Sequence, residues 1–336
     1  MKHYFFPTLA GMEALTQGEA DAPRPGHGQV LVRMHAASIN FRDLLVARGG
    51  YRGALEKDLV PLSDGAGEIV EVGDEVTRWK KGDRVTGTFY PSWLGGAMTP
   101  GDAANALGGQ LQGTLTEYRL FAESSVVRMP EHLSYNEAAT LPCAAVTAWN
   151  ALFGAKPLEP GQSVLLLGTG GVSTFALQFA QAAGARTLVI SSSDAKLEKA
   201  RVLGATDGVN YRTHPDWHNE VRRLTNGRGV DHVVEVGGPG TLERSLGAVR
   251  FGGWIHLIGV LTTGQISLLS ILGNTGTVRG VLVGSRSMFD RMNEMITVAK
   301  LYPSIARVFP FKDALSAYHE LASANHVGKI VIQIDW

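Results

Sequence analysis

Apolar and polar positions alternate in short bursts along the first third of the chain. Gln29–His35 (QVLVRMH) runs with period two, and Gly67–Val72 and Arg84–Gly87 are further strand candidates. Turn signals at Gly26–Gly28, Val72-Gly73-Asp74 and Lys81-Gly82-Asp83 separate them. Many short strands at this spacing predict a compact, barrel-like β domain. Residues from Tyr90 to Gln112 are rich in Gly, Ala and Pro without a sustained period, which predicts a long loop of a kind that is often functional. The pattern changes after Pro130. Ser134 and Glu137 have capping-box spacing ahead of a helix expected to reach Phe153. From Ser163 onwards apolar runs alternate with helical segments. Val164–Leu167, Thr187–Ile190, Val209–Tyr211, His232–Val236, Ile255–Val260 and Val278–Val283 are the strand candidates. Val172, Ala176, Phe179, Ala180 and Ala183 recur at helical spacing between the first two. Fully apolar strands alternating with helices predict a parallel sheet covered on both faces. A helix near Lys312–Ser323 and a strand at Lys329–Ile334 close the chain.

Length and composition narrow the classes. A chain of 336 residues suggests about two domains. Lys+Arg and Asp+Glu both number 31, so the totals argue for neither nucleic acid nor an anionic membrane as partner. One cysteine, Cys143, excludes an intrachain disulfide and any zinc site built on several thiolates. No run approaches the roughly 18 apolar residues of a membrane span, and the first residues break at Pro7 before a signal-type apolar region can form. A cytoplasmic protein is expected. Glycine is in excess, 41 of 336, which predicts many tight turns and close backbone approaches.

The most informative segment is Val164-Leu-Leu-Leu-Gly168-Thr169-Gly170-Gly171-Val172: a strand, a glycine turn and a helix start. Such a turn brings backbone N–H groups to a pyrophosphate at the helix N-terminus. Gly26-His27-Gly28 has similar glycines but no helix behind it, so it carries no such reading. Ser173 replaces the third glycine of the fingerprint and is small enough to keep helix and strand close. An NAD-preferring site places a carboxylate about 20 residues past the first glycine. Here the second strand ends in Ser191-Ser192-Ser193, followed by Asp194 at an expected helix cap and by Lys196. Hydroxyls and a lysine suit a 2′-phosphate, so NADP(H) is the expected cofactor.

The segments Asn40-Phe41-Arg42-Asp43, Arg48-Gly49-Gly50-Tyr51, Asp64-Gly65-Ala66-Gly67, Gly73-Asp74-Glu75-Val76, Gly168–Val172, Asp231–Gly238 and Gly328-Lys329-Ile330-Val331 together resemble the medium-chain dehydrogenase/reductase superfamily. The resemblance spans nearly the whole chain. It implies an α/β protein with a GroES-like, β-rich catalytic domain (1–130 and 302–336) and an inserted Rossmann doubly wound parallel sheet (131–301). The zinc branch carries Cys, then Gly-His-Glu, then Cys. The matching positions here are Asn40, Leu62-Ser63-Asp64 and Cys143, and the four-cysteine structural lobe is absent. Asn and Ser replace thiolate and imidazole poorly, so the chain resembles the zinc-free quinone oxidoreductase and enoyl reductase branch, with no metal expected. Other metal-like patterns are incomplete: His214 and His218 lack a third partner, and His319-Glu320 lacks a second histidine. His232, His256 and Cys143 read as core residues.

The resemblance puts Asn40 and Tyr51 beside the nicotinamide with Asp43 behind them. Turn and cap chemistry at a strand end competes for Asn40 and Asp43, and ordinary packing competes for Tyr51. Arg42 either holds Asp43 or reaches the cofactor. Thr147 and Val172 map onto the nicotinamide, and Gly259, Val260 and Val283 onto its carboxamide. Ser192, Lys196 and Tyr211 map around the adenosine 2′-phosphate. Lys329 maps near the pyrophosphate, with a solvated strand-end lysine as the alternative. The expected activity is NADPH-dependent hydride transfer to a quinone or an activated alkene. The alternatives are zinc-free alcohol or aldehyde chemistry, and an NADPH-binding structural or RNA-associated protein with little turnover. The expected partner is a small carbonyl, enone or quinone substrate, without nucleic acid or membrane. A homodimer joined through Thr277–Gly284 is also expected, because that apolar run suits a sheet edge.

Overall fold

A computed structural model of the chain describes residues 1–259 and 261–334. Two compact units result, one from Met1–Val146 with the described part of Gly284–Trp336, the other from Thr147–Val283. Both crossings therefore differ from the expected 130/131 and 301/302. The reason is local packing. The helix Arg286–Val298 is tied to the first unit by Asn293, whose Nδ2 donates to the Arg128 carbonyl at 2.9 Å, and the Arg286 N–H donates to the Trp93 carbonyl at 2.9 Å.

In the first unit a seven-stranded sheet is organised around the strand Gln29–Ile39. One edge of that strand pairs antiparallel with Asp64–Val72; the other pairs first with Tyr118–Ala122 and then with Lys329–Gln333. The alternation at Val30, Val32 and Met34 turns these side chains into a core shared with Ile69, Phe121 and Ile332. Burying each stabilises by roughly 1.5–3 kcal/mol, well above the median worth of an exposed ion pair. Ile305–Pro310, which no period-two pattern announces, forms a parallel edge strand beside Lys329–Gln333.

The second unit holds six parallel strands. Taken in space they are Asp207–Asn210, Arg186–Ser191, Ser163–Leu167, Val230–Glu235, Val249–Leu257 and Thr277–Gly280. That is the doubly wound order 3-2-1-4-5-6. Leu165, Leu188, Val233 and Ile255 are fully buried, as strands covered on both faces require. Residues 134–153 do not form one continuous helix. After Tyr135–Ala138 the chain widens into π-helical turns at Leu141–Ala145 and Asn150–Gly154, with Val146–Trp149 between them. Pro142 has no N–H for the regular ladder, and wide turns of this kind gather at functional sites. Among the described residues no helix is long and apolar enough to cross a membrane.

Candidate active site

Sheet register assembles the polar centre of the first unit. At the end of the strand Gln29–Ile39, Ser38 pairs with Asp64 on one side and Ile39 with Ile330 on the other. Asn40 follows, immediately ahead of the helix Phe41–Ala47. Asn40 and Asp43 take the two capping-box positions of that helix start. The Asn40 N–H donates to Asp43 Oδ2 at 2.7 Å, and the Asp43 N–H donates to the Asn40 carbonyl at 2.9 Å.

The Asn40 carboxamide has a partner beyond the helix. Its Oδ1 accepts from the Lys329 ammonium, which also donates to the Ile39 carbonyl at 2.8 Å and lies 3.7 Å from Asp64 Oδ2. Lys329 is 3% exposed and Asp64 is fully buried. Asp64 accepts the Ser63 hydroxyl at 2.7 Å and the Cys143 N–H at 3.3 Å. Burial raises the Asp64 carboxyl above its usual range, opposed by Lys329, the Asn40 amide, Ser63 and the Cys143 N–H. Asn40 Nδ2 leans towards that carboxylate but completes no hydrogen bond. Lys329, expected near a pyrophosphate, is thus turned into the interior of its own unit.

Burial pushes the Asp43 carboxyl up to about 6, although Arg42 and the Asn40 N–H both favour its charge. The Arg42 guanidinium lies 3.7 Å from Asp43 Oδ1 and donates to the Leu107 carbonyl at 2.8 Å. It also sits over the rings of Tyr51 (4.4 Å) and Phe89 (4.7 Å). Burial opposes its charge, but Tyr51, Asp43 and Cys143 outweigh that and raise its pKa. Arg42 therefore holds Asp43, seats Tyr51 and anchors residues 107–108, a role the sequence left open. The stretch 90–112 is less loose than expected. Tyr90, Trp93 and Leu107 are buried, and Thr99 caps a short helix at Pro100–Ala103.

The positions that hold zinc in the zinc branch can now be tested. Asn40 Oδ1 is taken by an ammonium, and the Ser63 hydroxyl is spent on Asp64. Cys143 is the one thiol of the set, and its backbone N–H is already committed to Asp64 Oδ2 at 3.3 Å. Among the described residues no cluster of three His, Cys, Asp or Glu could hold a metal ion. This donor set does not fit zinc.

The second unit carries the nucleotide features. Gly168 has φ +73°, a conformation that favours glycine, and a side chain on Gly168 or Gly170 would point into open space. Gly170 precedes the helix Gly171–Ala182 without any side-chain cap, which leaves its first N–H groups for a ligand. Ser173, in place of the third glycine, donates to the Leu167 carbonyl at 2.7 Å and so ties helix to strand. Val172 is half-buried at the helix start and Thr147 is buried. These residues fit a dinucleotide pyrophosphate. At the next strand end, Ser191 is buried and its carbonyl accepts the Tyr211 N–H at 3.0 Å, which sets Tyr211 at that strand end. Lys196 is half-buried, and its pKa is lowered by burial and then by the positive charges of Arg212 and Lys199. Asp194, the one nearby carboxylate of the motif, accepts from Asn210 Nδ2 at 2.8 Å. Sequence reading missed Arg212, although it stands directly after Tyr211.

Two further features concern the carboxamide residues. Gly259 has no room for a side chain, since a Cβ would lie 2.0 Å from the Val236 carbonyl oxygen. Val283 adopts φ +44°, a strained conformation for a β-branched residue. Its carbonyl accepts from Asn150 Nδ2 at 2.8 Å, and Arg279 donates to Asn150 Oδ1 at 2.9 Å. Neither Asn150 nor Arg279 was singled out by the sequence. Val260 lies outside the described residues.

Comparisons with known proteins give the family. The alcohol dehydrogenase GroES-like domain matches residues 26–131, and the zinc-binding dehydrogenase family matches residues 171–298. A zinc-type alcohol dehydrogenase-like protein of Schizosaccharomyces pombe is 43% identical over 344 residues, covering 100% of this chain and 99% of that protein. A crystal structure of an NAD-dependent alcohol dehydrogenase superposes with TM-score 0.91 at 31% identity, covering 100% of both chains. A quinone oxidoreductase of Pseudomonas syringae pv. tomato DC3000 superposes with TM-score 0.84 at 27% identity, covering 99% of each. These family matches define an oxidoreductase that works with NAD(P)H. The chain belongs to the medium-chain dehydrogenase/reductase superfamily.

Proposed function

We propose that this oxidoreductase is a zinc-independent, NADPH-dependent reductase of quinones or activated alkenes. The observation that carries the reading is the replacement of the zinc-ligand set by Asn40 and Ser63, which leaves Cys143 as its one thiol, with the Lys329 ammonium bonded to Asn40 beside Asp64. Without a Lewis acid, substrate polarisation rests on hydrogen-bond donors, which suits a conjugated acceptor whose oxygen gathers charge. When bound, NADPH supplies the hydride. Asn40 Nδ2, a buried donor without a completed bond, serves the developing oxyanion. The Tyr51 phenol donates a hydrogen bond, or a proton through water, and Asp43 and Arg42 hold Asn40 and Tyr51 in place. The hydroxyls at Ser191–Ser193 with Lys196 and Arg212 favour the 2′-phosphate of NADPH over NADH. The reading includes a homodimer with a small-molecule substrate as its only other partner.

A second reading, zinc-free alcohol or aldehyde chemistry, is favoured by the relatives' names, alcohol dehydrogenase and alcohol dehydrogenase-like protein. One experiment separates the two. NADPH oxidation is followed against quinones, enones and aldehydes, with elemental analysis of protein purified without added metal. Quinone or enone turnover by metal-free protein is expected. Stoichiometric zinc that chelation removes together with the activity overturns the proposal, and turnover of aldehydes alone transfers it to the second reading.

A further inference from the structure

We propose that Lys329 is a positioning residue for catalysis: its buried ammonium orients the Asn40 carboxamide so that the NH2 end, not the oxygen, is presented to the substrate. The inference rests on the reading that Asn40 serves the substrate oxygen. A carboxamide has two ends of nearly equal shape, one accepting and one donating, and only the donating end stabilises an oxyanion. The Asp43 backbone N–H goes to the Asn40 carbonyl at 2.9 Å, so the neighbouring side chains weigh in the choice. An ammonium chooses, since it has three donors and no acceptor. Lys329 donates to Asn40 Oδ1, and the Ile39 carbonyl accepts a second hydrogen bond from it at 2.8 Å. Asp64 Oδ2, 3.7 Å away, balances the charge at a position where Lys329 is 3% exposed. Asn40 Nδ2 is then left buried with one hydrogen towards Asp64 and no completed bond, and its second hydrogen is the one offered to the substrate. Two pairings produce this arrangement: Ile330 opposite Ile39 sets Lys329 beside the strand end, and Ser38 opposite Asp64 sets the counter-charge on the other side.

The test compares wild type, Lys329→Met, Asn40→Ala and the double variant Asn40→Ala/Lys329→Met. kcat is measured on the best substrate at saturating NADPH, the Kd for NADPH by fluorescence titration without substrate, and exchange of the Asn40 side-chain NH2 by ¹⁵N NMR. Lys329→Met is expected to lower kcat at least about tenfold, to leave Kd within about threefold, and to speed Asn40 NH2 exchange at least about tenfold. In the Asn40→Ala background the same change should alter kcat less than about twofold, because a residue that acts through another loses its effect when that other is gone. Should Lys329→Met fail to fold, Lys329→Met/Asp64→Asn removes both buried charges and carries the same expectations. Independent, multiplying losses of kcat overturn the inference. So does unchanged Asn40 exchange, or a tenfold weaker NADPH Kd with kcat retained, which would return Lys329 to the cofactor phosphates. A wild type that reduces only aldehydes sinks the proposed substrate class and leaves the Asn40–Lys329 coupling to be read on the aldehyde. Full turnover by Asn40→Ala sinks the inference itself.

Discussion

Tyr51 and Lys196 show how differently two polar residues are used at the scale of single side chains. Tyr51 stacks on the Arg42 guanidinium, so Tyr51→Phe keeps that contact and removes only the hydroxyl. A group that works only in the transition state lowers kcat and kcat/KM together when removed. We expect Tyr51→Phe to lose at least about tenfold in kcat, or roughly 1.4 kcal/mol, with NADPH affinity nearly unchanged. Full turnover would assign the proton to solvent. Lys196 sits in the field of Arg212 and Lys199, a repulsion that a bound phosphate would relieve. A charge-assisted contact is worth about 1.5–3 kcal/mol, so Lys196→Ala or Arg212→Ala should raise KM for NADPH about ten- to a hundredfold and leave NADH little changed. Equal wild-type affinity for the two cofactors would refute the 2′-phosphate assignment.

Single elements carry consequences of their own, most clearly the two neighbouring parallel strands Val230–Glu235 and Val249–Leu257. His232 Nδ1 and His256 Nε2 lie 3.0 Å apart inside the sheet, with His232 Nε2 3.1 Å from Gln162 Oε1. Burial lowers His232 to about 4 and His256 to about 3, with the His232 charge as a further cause for the latter. Both rings are therefore neutral in the folded sheet, while the unfolded chain takes up protons below about 6.5. Stability from this pair is fully present above that value and is lost as pH falls from about 6.5 towards 4 and 3. The urea midpoint should drop between pH 7 and pH 4.5, and the double change His232→Gln/His256→Leu should flatten that part of the profile. A profile of unchanged slope would remove the pair from the acid response. Much of this level was legible in advance. The strand Arg84–Gly87 stands where the sequence put it, and each of the six apolar runs from Ser163 onwards overlaps one of the six parallel strands, although the last two strands end at Leu257 and Gly280, short of the expected bounds. The π-turns at Leu141–Ala145 and Asn150–Gly154 were not legible, because helical periodicity cannot distinguish a wide turn from a regular one.

Assembly is the question at the scale of the whole molecule. The strand Thr277–Gly280 is the edge of its sheet, and the helix before it, Leu268–Asn274, exposes Leu268, Leu269 and Leu272 by 70% or more. An open edge beside exposed leucines is a pairing hazard unless a partner covers it. The proposed homodimer uses this face. Val281, inside the apolar run that suggested the dimer, is itself buried, whereas Leu282 is 43% exposed. Leu272→Glu combined with Leu282→Lys should therefore shift the protein to monomer at micromolar concentration in light scattering, with the fold intact. A monomeric wild type, or a double variant that stays dimeric, would exclude this face.

The sequence by itself determined the class of fold and marked the residues on which the nucleotide proposal rests, because both are written in local signals. The run from Val164 to Val172 contains strand, turn and helix start in nine neighbouring residues, and the serines after Ile190 follow in one stretch. Backbone geometry reads such signals without help from distant residues. What the sequence could not determine is the use made of Asn40 and Lys329. They stand 289 residues apart and meet only because the strand Lys329–Gln333 pairs with Gln29–Ile39. A strand-end lysine and a strand-end asparagine have ordinary surface roles when read alone. Only sheet register, with the buried charge of Asp64 to hold the ammonium, turns them into one oriented group.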